Sequence, residues 1–307
     1  MIQTTARASL IKPPRLKPGD QIGIISPAGP VKRSALNTGL KTLESSGLRV
    51  LVAPHVYDNR GYLAGEDEAR LADLHTMFQD PDIAAIICSR GGYGTLRLLD
   101  KIRYDLIEEN PKILVGYSDI TALLIAIHAK TGLVTFHGPM VRGLTRRNKR
   151  NWESLFTLLS SSDPMTIRLT EGSALIPGKA TGPLIGGNLS LICHLVGTPF
   201  LPSLDGCILF IEEKGEPLYR LDRMMTHLAL SNQLKGLCGL IAGDFEQCGD
   251  LSSINRLLRK IVLDLDIPLV TGLPAGHGFK NLALPIGLTA ELDTSLMTLS
   301  VMEACVR

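Results

Sequence analysis

Short runs of apolar residues alternate with amphipathic stretches through the first half of the chain. The runs are rich in Ile, Val and Leu, and each precedes a stretch in which apolar residues recur with helical spacing. Strands that are apolar along their whole length are typically buried on both faces. The pattern therefore predicts an α/β fold with a parallel sheet covered by helices on both sides. Its predicted strands are 21–26, 49–53, 83–88 and 113–117, and its predicted helices are 32–46, 66–78, one from about 95, and 119–130.

The second half of the chain alternates less regularly. Residues 142–175 are basic and rich in serine, and we predict that they link an N-terminal domain over 1–141 to a mixed α/β domain over 176–307. A chain of 307 residues also exceeds the usual size of one hydrophobic core. Beyond the linker we predict helices at 189–196, 217–231 and 252–264, a strand at 207–212, and β-prone segments near 267–271, 282–291 and 296–301.

Composition narrows the class of protein. Hydrophobic residues make up 45% of the chain and charged residues 20%, with a mean hydropathy of +0.17, which is typical of a well-buried globular protein. The formal net charge is only +2, and the basic run at 146–150 has no interleaved aromatic residues. We interpret this run as a solvated part of the linker and expect no nucleic-acid partner.

The N-terminus and the cysteines indicate a cytoplasmic protein. Only the stretch 8–11 separates Arg7 from Lys12, far less than the apolar core of a signal peptide. No stretch approaches the roughly 20 apolar residues of a membrane-spanning helix. The six cysteines are dispersed without a C-x-x-C pair, and no H-E-x-x-H motif is present. We therefore expect a soluble protein with reduced thiols, no membrane partner and no metal site.

Two glycine- and serine-bearing turns lie where predicted strands end and helices begin. Residues 89–94 follow the third strand, and residues 116–121 follow the fourth. Ligands of open α/β sheets bind at this edge, where backbone N–H groups point outward. Glycines at 91, 92 and 94 permit close approach of the backbone to a ligand, although a plain tight turn gives the same pattern. Their spacing differs from G-x-G-x-x-G, so we expect no dinucleotide cofactor.

Ser118 lies at the junction of the fourth strand and the helix that follows it. This is the position of a nucleophile elbow, which lifts a serine hydroxyl out of the sheet, although the motif G-Y-S-D-I is not G-x-S-x-G. Capping of helix 119–130 is the simpler explanation of the serine, and the two roles are compatible. A serine here also places the backbone N–H of Asp119 near an oxyanion formed on an attacked carbonyl.

A serine nucleophile needs a general base, normally histidine, and the histidine needs an acceptor that fixes its tautomer. Of the seven histidines, His277 lies in a flexible turn from which an imidazole can project into a cleft, and His137 is its rival. Glu212 ends a strongly apolar strand, where a carboxylate requires a partner. Local sequence alone leaves open that His277 is a surface-loop residue and that Glu212 begins an exposed loop.

Several motifs, in order along the chain, resemble those of the LD-carboxypeptidases, serine peptidase family S66. The first half contributes SRGGYG at 89–94, GYSDITAL at 116–123 and FHGPM at 136–140. The second half contributes GGNL at 186–189, LVGTP at 195–199, IEE at 211–213, GDF at 243–245, GH at 276–277 and LPIG at 284–287. The likeness spans nearly the whole chain from Pro18 onward, and several motifs in sequence are far more specific than any one of them.

The resemblance implies a Rossmann-like, flavodoxin-like N-terminal domain and a β-rich C-terminal domain, with the site in the cleft between them. It implies that Ser118, Glu212 and His277 form a catalytic triad, which removes the local alternatives left open above. It also implies an enzyme without a metal or cofactor, and a homodimer.

The resemblance also identifies the groups around the triad. The backbone N–H groups of Gly92 and Asp119 are the expected oxyanion hole, and this role explains the glycine-rich turn, because only glycine lets the backbone come so close. The expected substrate contacts are Gly91, Tyr93 and Asn188.

The implied reaction belongs to peptidoglycan recycling. It is hydrolysis of the bond between an L-configured centre, of meso-diaminopimelate or lysine, and the terminal D-alanine of a cell-wall tetrapeptide. Two alternatives remain. Similar proteins include self-immunity enzymes that cleave peptidyl-nucleotide antibiotics, but the single tryptophan, Trp152, falls in the predicted linker and gives no obvious nucleobase platform. The other alternative is a non-catalytic protein that binds an anion at the glycine-rich turn.

Overall fold

The computed structural model describes residues 9–145 and 148–307, so Arg7, Ala8, Arg146 and Arg147, on which parts of the leader and basic-run predictions depend, lie outside the described residues. The first half folds into the predicted parallel sheet, whose five parallel strands run in the order β2-β1-β3-β4-β5. β1, β3 and β4 are almost wholly buried, as their apolar sequences require. The elements are β1 (Gln21–Ile25), α1 (Arg33–Ser45), β2 (Arg49–Val52), α2 (Asp67–Gln79), β3 (Ile83–Cys88), α3 (Tyr104–Glu109), β4 (Ile113–Gly116), α4 (Ile120–Thr131) and β5 (Thr135–His137).

The helix predicted from about residue 95 begins later than expected. Two 3-10 turns occupy Thr95–Arg97 and Leu99–Lys101, and α3 starts only at Tyr104. The reason is a tertiary contact, because Thr95 N–H donates to Asp119 Oδ2 at 2.9 Å and Thr95 Oγ1 donates to the Asp119 carbonyl at 2.6 Å. These bonds hold the segment against the start of α4.

The second half forms a β-rich mixed α/β unit, as expected. Its eight-stranded sheet has the order β6-β14-β13-β8-β9-β10-β11-β7, with β8, β9, β10 and β11 parallel. The elements are α5 (Lys149–Ser160), β6 (Met165–Arg168), β7 (Ser173–Ile176), β8 (Lys179–Asn188), α6 (Leu189–Leu195), β9 (Ile208–Lys214), α7 (Leu218–Leu230), β10 (Gly239–Glu246), α8 (Leu251–Val262), β11 (Leu269–Thr271), β12 (Leu284–Ile286), β13 (Thr289–Asp293) and β14 (Thr298–Val301).

The segment predicted as a linker, 142–175, is more than a connection. It contains α5, and its strands β6 and β7 pair with β14 and β11 to form the two edges of the second sheet. In the opposite direction, β12 leaves the predicted C-terminal domain and pairs with β5 at the edge of the first sheet. The boundaries drawn at 141 and 176 therefore do not follow sheet membership, because strand pairing depends on distant partners that local composition does not reveal.

Helix α4 joins the two halves. Residues 120–127 are buried on every side, and the helix packs against β8 and α6 as well as against its own sheet. At its first turn Thr121 Oγ1 accepts a hydrogen bond from Asn188 N–H at 3.0 Å. Gly187, with a φ of 145°, comes so close that a Cβ there would lie 2.6 Å from Thr121 Oγ1. The carboxyl ends of β4 and β8 therefore meet at the start of α4.

None of the helices in residues 9–145 and 148–307 is both long enough and apolar enough to cross a membrane.

Candidate active site

Ser118 occupies a strained turn between β4 and α4. Its φ of 64° lies in the left-handed region, which costs a residue with a Cβ about 1–2 kcal/mol. The N-cap of α4 is Asp119, and no side-chain hydrogen bond caps this helix. The geometry is therefore that of an elbow that presents the hydroxyl at the sheet edge, and the simpler capping explanation is wrong.

Gly91 and Gly92 pack directly against their surroundings. A Cβ on Gly91 would lie 2.8 Å from Ser118 Cβ and 2.9 Å from Ser118 Oγ, with the Asp119 nitrogen at 3.4 Å. Gly92 has a φ of 132°, and a Cβ there would lie 3.0 Å from Gly29 Cα. Gly91 lets the backbone come close to Ser118, and Gly92 lets it come close to Gly29, whereas a plain tight turn would require neither contact.

His277 and Glu212 form a buried pair. His277 Nδ1 lies 2.6 Å from Glu212 Oε2, and the Glu212 side chain is 0% exposed. Burial raises the pKa of Glu212, while the hydrogen bond with His277 opposes that rise. Because Nδ1 is bonded to the carboxylate, Nε2 is the nitrogen left to accept a proton. His277 is thus not a free surface-loop residue, and Glu212 does not begin an exposed loop.

His137, the rival base, has no route to a proton-transfer role. It is fully buried, and neither ring nitrogen has a hydrogen-bond partner among the described residues. Burial, aided by the charge of His277, lowers the pKa of His137 to about 3, so the ring is neutral. It packs edge-on against Phe210 with ring centroids 5.0 Å apart, and Tyr117 separates it from His277. His137 therefore belongs to the core behind the site.

Ser118 and His277 open into one cavity of about 450 Å³, without a direct hydrogen bond between hydroxyl and imidazole in the described chain. Among the residues that the structure describes, no carboxylate lines this cavity, and three cations do: Arg90, Arg142 and Lys214. Arg90 is held by the Gly91 and Pro30 carbonyls at 3.0 and 3.1 Å, and burial together with the charge of Arg142 lowers its pKa. A cavity with several cations and no counter-charge is suited to an anionic ligand.

The predicted site residues separate into two groups. Ser118, His277, Gly91 and Gly92 line the cavity, and Glu212 lies behind His277. Tyr93 and Asn188 do not line it. Tyr93 packs edge-on against Tyr62 and is 47% exposed.

Asn188 has a structural environment. Its Oδ1 accepts from Leu191 N–H at 3.3 Å at the start of α6, and its Nδ2 donates to Glu213 Oε1 at 3.0 Å. The contacts observed for Tyr93 and Asn188 are with other residues of the protein. Their expected contacts with substrate therefore remain predictions.

Sequence reasoning did not predict the cations of the cavity as site residues, and two of them, Arg142 and Lys214, lie outside every motif singled out above. The available signal was weak. Lys214 follows Glu212 by two positions at the carboxyl end of β9, and Arg142 follows the FHGPM motif. A lysine or arginine at such a place more often lies on a solvated surface. Within the part of the chain that the structure describes, no cluster of three or more His, Cys, Asp or Glu side chains could hold a metal ion.

A serine at a left-handed elbow, beside a histidine bonded to a buried carboxylate, is the arrangement found in serine hydrolases. Comparison with known proteins narrows this class to a family. Residues 22–138 match the model of the LD-carboxypeptidase N-terminal domain, and residues 181–292 match that of the LD-carboxypeptidase C-terminal domain. The chain belongs to the LD-carboxypeptidase family and is a serine carboxypeptidase.

Individual relatives cover almost the whole chain. The probable murein peptide carboxypeptidase of Bacillus subtilis is 40% identical over 95% of this chain and 94% of its own length. The muramoyltetrapeptide carboxypeptidase from Oxalobacter formigenes is 31% identical, with a TM-score of 0.80 over 91% of this chain and 97% of that one. MccF in complex with glutamyl sulfamoyl guanosine is 26% identical, with a TM-score of 0.91 over 96% of this chain and 99% of that one.

Proposed function

We propose that this chain removes the terminal D-alanine from cell-wall tetrapeptides, by hydrolysis of its bond to an L-configured centre of meso-diaminopimelate or lysine. The observation that carries the proposal is the shared cavity, in which Ser118 and His277 lie with three cations and, within residues 9–145 and 148–307, no carboxylate. A carboxypeptidase must recognise a free carboxylate beside the scissile bond, and such a cavity provides for that charge.

The proposed mechanism assigns each group one step. His277 Nε2 takes the proton of Ser118 Oγ as that oxygen attacks the substrate carbonyl, and Glu212 stabilises the imidazolium that forms. His277 then returns the proton to the departing amine of D-alanine, leaving an acyl-enzyme on Ser118. Water, deprotonated by His277, hydrolyses the acyl-enzyme and restores the free serine.

The oxyanion of the tetrahedral intermediate is assigned to the backbone N–H groups of Gly92 and Asp119. Two observations support this assignment. Neither N–H donates to a protein acceptor among the described residues. The Asp119 nitrogen and Ser118 Oγ also border the same space beside Gly91. Each donor of this kind is typically worth about 2.7–4 kcal/mol at the transition state.

A cell-wall peptide is a better substrate candidate than a peptidyl-nucleotide. Trp152 is buried, and its indole N–H donates to Ser46 Oγ at 2.7 Å, so it offers no stacking surface. Tyr117 lines the cavity but packs edge-on against the His277 ring, with centroids 5.0 Å apart. Identity to the two named murein carboxypeptidases, 40% and 31%, also exceeds the 26% to MccF.

The deciding experiment measures D-alanine release by mass spectrometry from a tetrapeptide that ends in D-alanine. Purified wild type, Ser118→Ala and a matched control are compared, and the control is Ser34→Ala on the exposed face of α1. We expect release by wild type and control and none by Ser118→Ala. A parallel reaction contains glutamyl sulfamoyl guanosine, the compound bound in the MccF structure. Cleavage of that compound alone would establish the peptidyl-nucleotide activity, and tight binding without cleavage of either would establish a binding protein.

We also propose that the protein is cytoplasmic and forms a homodimer. The cytoplasmic location is supported by the cysteines, because no disulfide joins any two of them in the described residues, whereas the thiols of exported proteins are usually oxidised to disulfides. The homodimer rests on the resemblance to the family. Cell fractionation and sedimentation equilibrium test the two points, and a monomer at micromolar concentration would refute the second.

A further inference from the structure

The loop that carries His277 is held on both sides by side chains outside the proposed triad. Gly276 N–H donates to Asn281 Oδ1 at 3.1 Å, and Gly278 N–H donates to Asp244 Oδ2 at 3.1 Å. The residues immediately before and after His277 thus each donate their N–H to a side-chain acceptor. Together with the 2.6 Å contact between imidazole and Glu212, these bonds leave His277 little freedom.

A β-bulge brings Asp244 to this loop. On the paired strands Ala242 lies opposite Ile211 and Phe245 lies opposite Glu213, and the register shifts between these two pairs. Residues 243 and 244 of β10 therefore face the single residue Glu212 of β9. A bulge turns side chains to new directions and is common beside active sites. Here it places Asp244 beside the same loop that Glu212 contacts.

Asp244 contacts the loop with both its backbone and its side chain. Its N–H donates to the Ala275 carbonyl at 3.0 Å, in addition to the bond from Gly278 N–H to its carboxylate. A Cβ on Gly278 would overlap that carboxylate, so glycine is required at this position for the contact to form. Asp244 is therefore fitted to the chain immediately after His277.

The ionisable groups that face Asp244 include two members of the proposed triad. The facing groups are Glu212 on β9, Glu246 on β10 and His277. Burial raises the pKa of Asp244 to about 6, the hydrogen bond from Gly278 opposes the rise, and the two glutamates add to it. Above that pH the carboxylate is ionised, so its bond from Gly278 N–H is charge-assisted. Below it, the protonated acid is a weaker acceptor.

We propose that Asp244 is a positioning residue that acts through the Gly278 peptide to hold the His277 imidazole between Glu212 and Ser118. The proposal rests on the proposed role of His277 as general base. A catalytic group displaced by about 1 Å can lose about 100-fold in rate, so the loss of this bond should appear in kcat. Asp244 is absent from the cavity lining, so KM should change little.

The test compares Asp244→Ala with Asp244→Asn, whose amide oxygen can still accept from Gly278 N–H. Asp264→Ala, an exposed aspartate in the same half of the chain, is the matched control. We expect Asp244→Ala to lower kcat for D-alanine release by about 100-fold, with KM within about twofold. Asp244→Asn should recover most of this loss. The downfield proton NMR resonance of His277 Nδ1–H should broaden or vanish in Asp244→Ala and persist in Asp244→Asn.

Each outcome decides the proposal. Wild-type kcat in Asp244→Ala, or no recovery in Asp244→Asn, refutes positioning through the Gly278 bond. If the wild type releases no D-alanine, the proposed function fails, and the downfield resonance still decides the positioning role on its own. If Asp244→Ala does not fold, Asp244→Ser, whose hydroxyl is too short to reach Gly278 N–H, takes its place in the comparison, and an unperturbed resonance in that variant refutes the proposal.

Discussion

Glu212→Gln separates the proposed catalytic role of this carboxylate from its contribution to stability. The substitution keeps the shape of the side chain and removes its charge. A glutamine oxygen can still accept from His277 Nδ1–H, but it cannot stabilise the imidazolium that forms when His277 takes the Ser118 proton. If the amide presents its NH₂ group to Nδ1 instead, the imidazole is forced into the wrong tautomer.

The structure sets the size of the expected effect. The contact is 2.6 Å long and the Glu212 side chain is 0% exposed, so water cannot replace the lost charge. A triad that loses this charge slows by up to about 10⁴-fold, and a modest estimate is about 100-fold, which correspond to about 5 and 3 kcal/mol of transition-state stabilisation. Glu212 does not line the cavity, so KM should stay near the wild-type value.

Unlike the activity, the stability of the folded protein should not fall in Glu212→Gln. Because burial raises the pKa of Glu212, the folded state binds a proton more tightly than the unfolded state does. The contribution of Glu212 to stability is therefore present at low pH and is lost as pH rises through its folded pKa. Glutamine carries no such penalty. We expect Glu212→Gln to have an unfolding free energy at pH 8 equal to or above that of the wild type.

The assay is steady-state D-alanine release at pH 8, together with urea unfolding of the same preparations. Glu68→Gln, at an exposed glutamate of α2, is the matched control and should behave as wild type. A kcat within threefold of wild type would refute the assignment of Glu212 to the triad. If activity falls and the unfolding free energy falls with it, the loss of activity is explained by a less stable folded state and not by a missing catalytic charge.

Three further predictions test the elbow, the glycine turn and the cations. Ser118→Gly should have an unfolding free energy, measured with urea, about 1 kcal/mol higher than that of Ser118→Ala, because glycine adopts a φ of 64° without strain. Equal unfolding free energies would contradict the strained elbow. Gly91→Ala should abolish D-alanine release while secondary structure by circular dichroism is kept, since the added methyl group meets Ser118 Oγ at 2.9 Å. Arg142→Gln and Lys214→Gln should each raise KM more than they lower kcat, by about tenfold if one charged hydrogen bond of about 1.5 kcal/mol is lost. Unchanged KM values in both would exclude these cations from substrate recognition.

Local sequence was sufficient for much of the fold. Nine strands and six helices of the described residues lie at or near the predicted segments, because a short apolar run, or an apolar stripe with helical spacing, is a property of the segment itself. β8 was missed although it lies at the centre of the second sheet. Its residues 179–188 include three glycines and a proline, which locally resemble a turn.

Some local patterns were correct in type and wrong in arrangement. The β-prone segment 282–291 is extended, but it breaks at Gly287, whose φ is 103°. The part before the break, β12, pairs with β5 in the first sheet, and the part after it, β13, pairs with β8 in the second. A Cβ at Gly287 would collide with the ring of His128 in α4. His128 is too far away in the sequence for the residues around position 287 to reveal this contact.

Sequence alone predicted that Ser118 and the glycine-rich turn lie together at the carboxyl edge of the first sheet, because the ends of parallel strands must meet there, and in the structure both line one cavity. Which side chains converge was decided by tertiary structure. His277 and Glu212 are 65 positions apart, and local sequence could not show that their side chains meet. No sequence motif marked the three cations of the cavity or the bond between Asp244 and Gly278. A charged residue in a sequence can be solvated as easily as it can be paired, so local sequence does not distinguish the two. Periodicity follows from the bonds of one segment, whereas burial, charge pairing and pKa depend on neighbours that only the folded chain brings together.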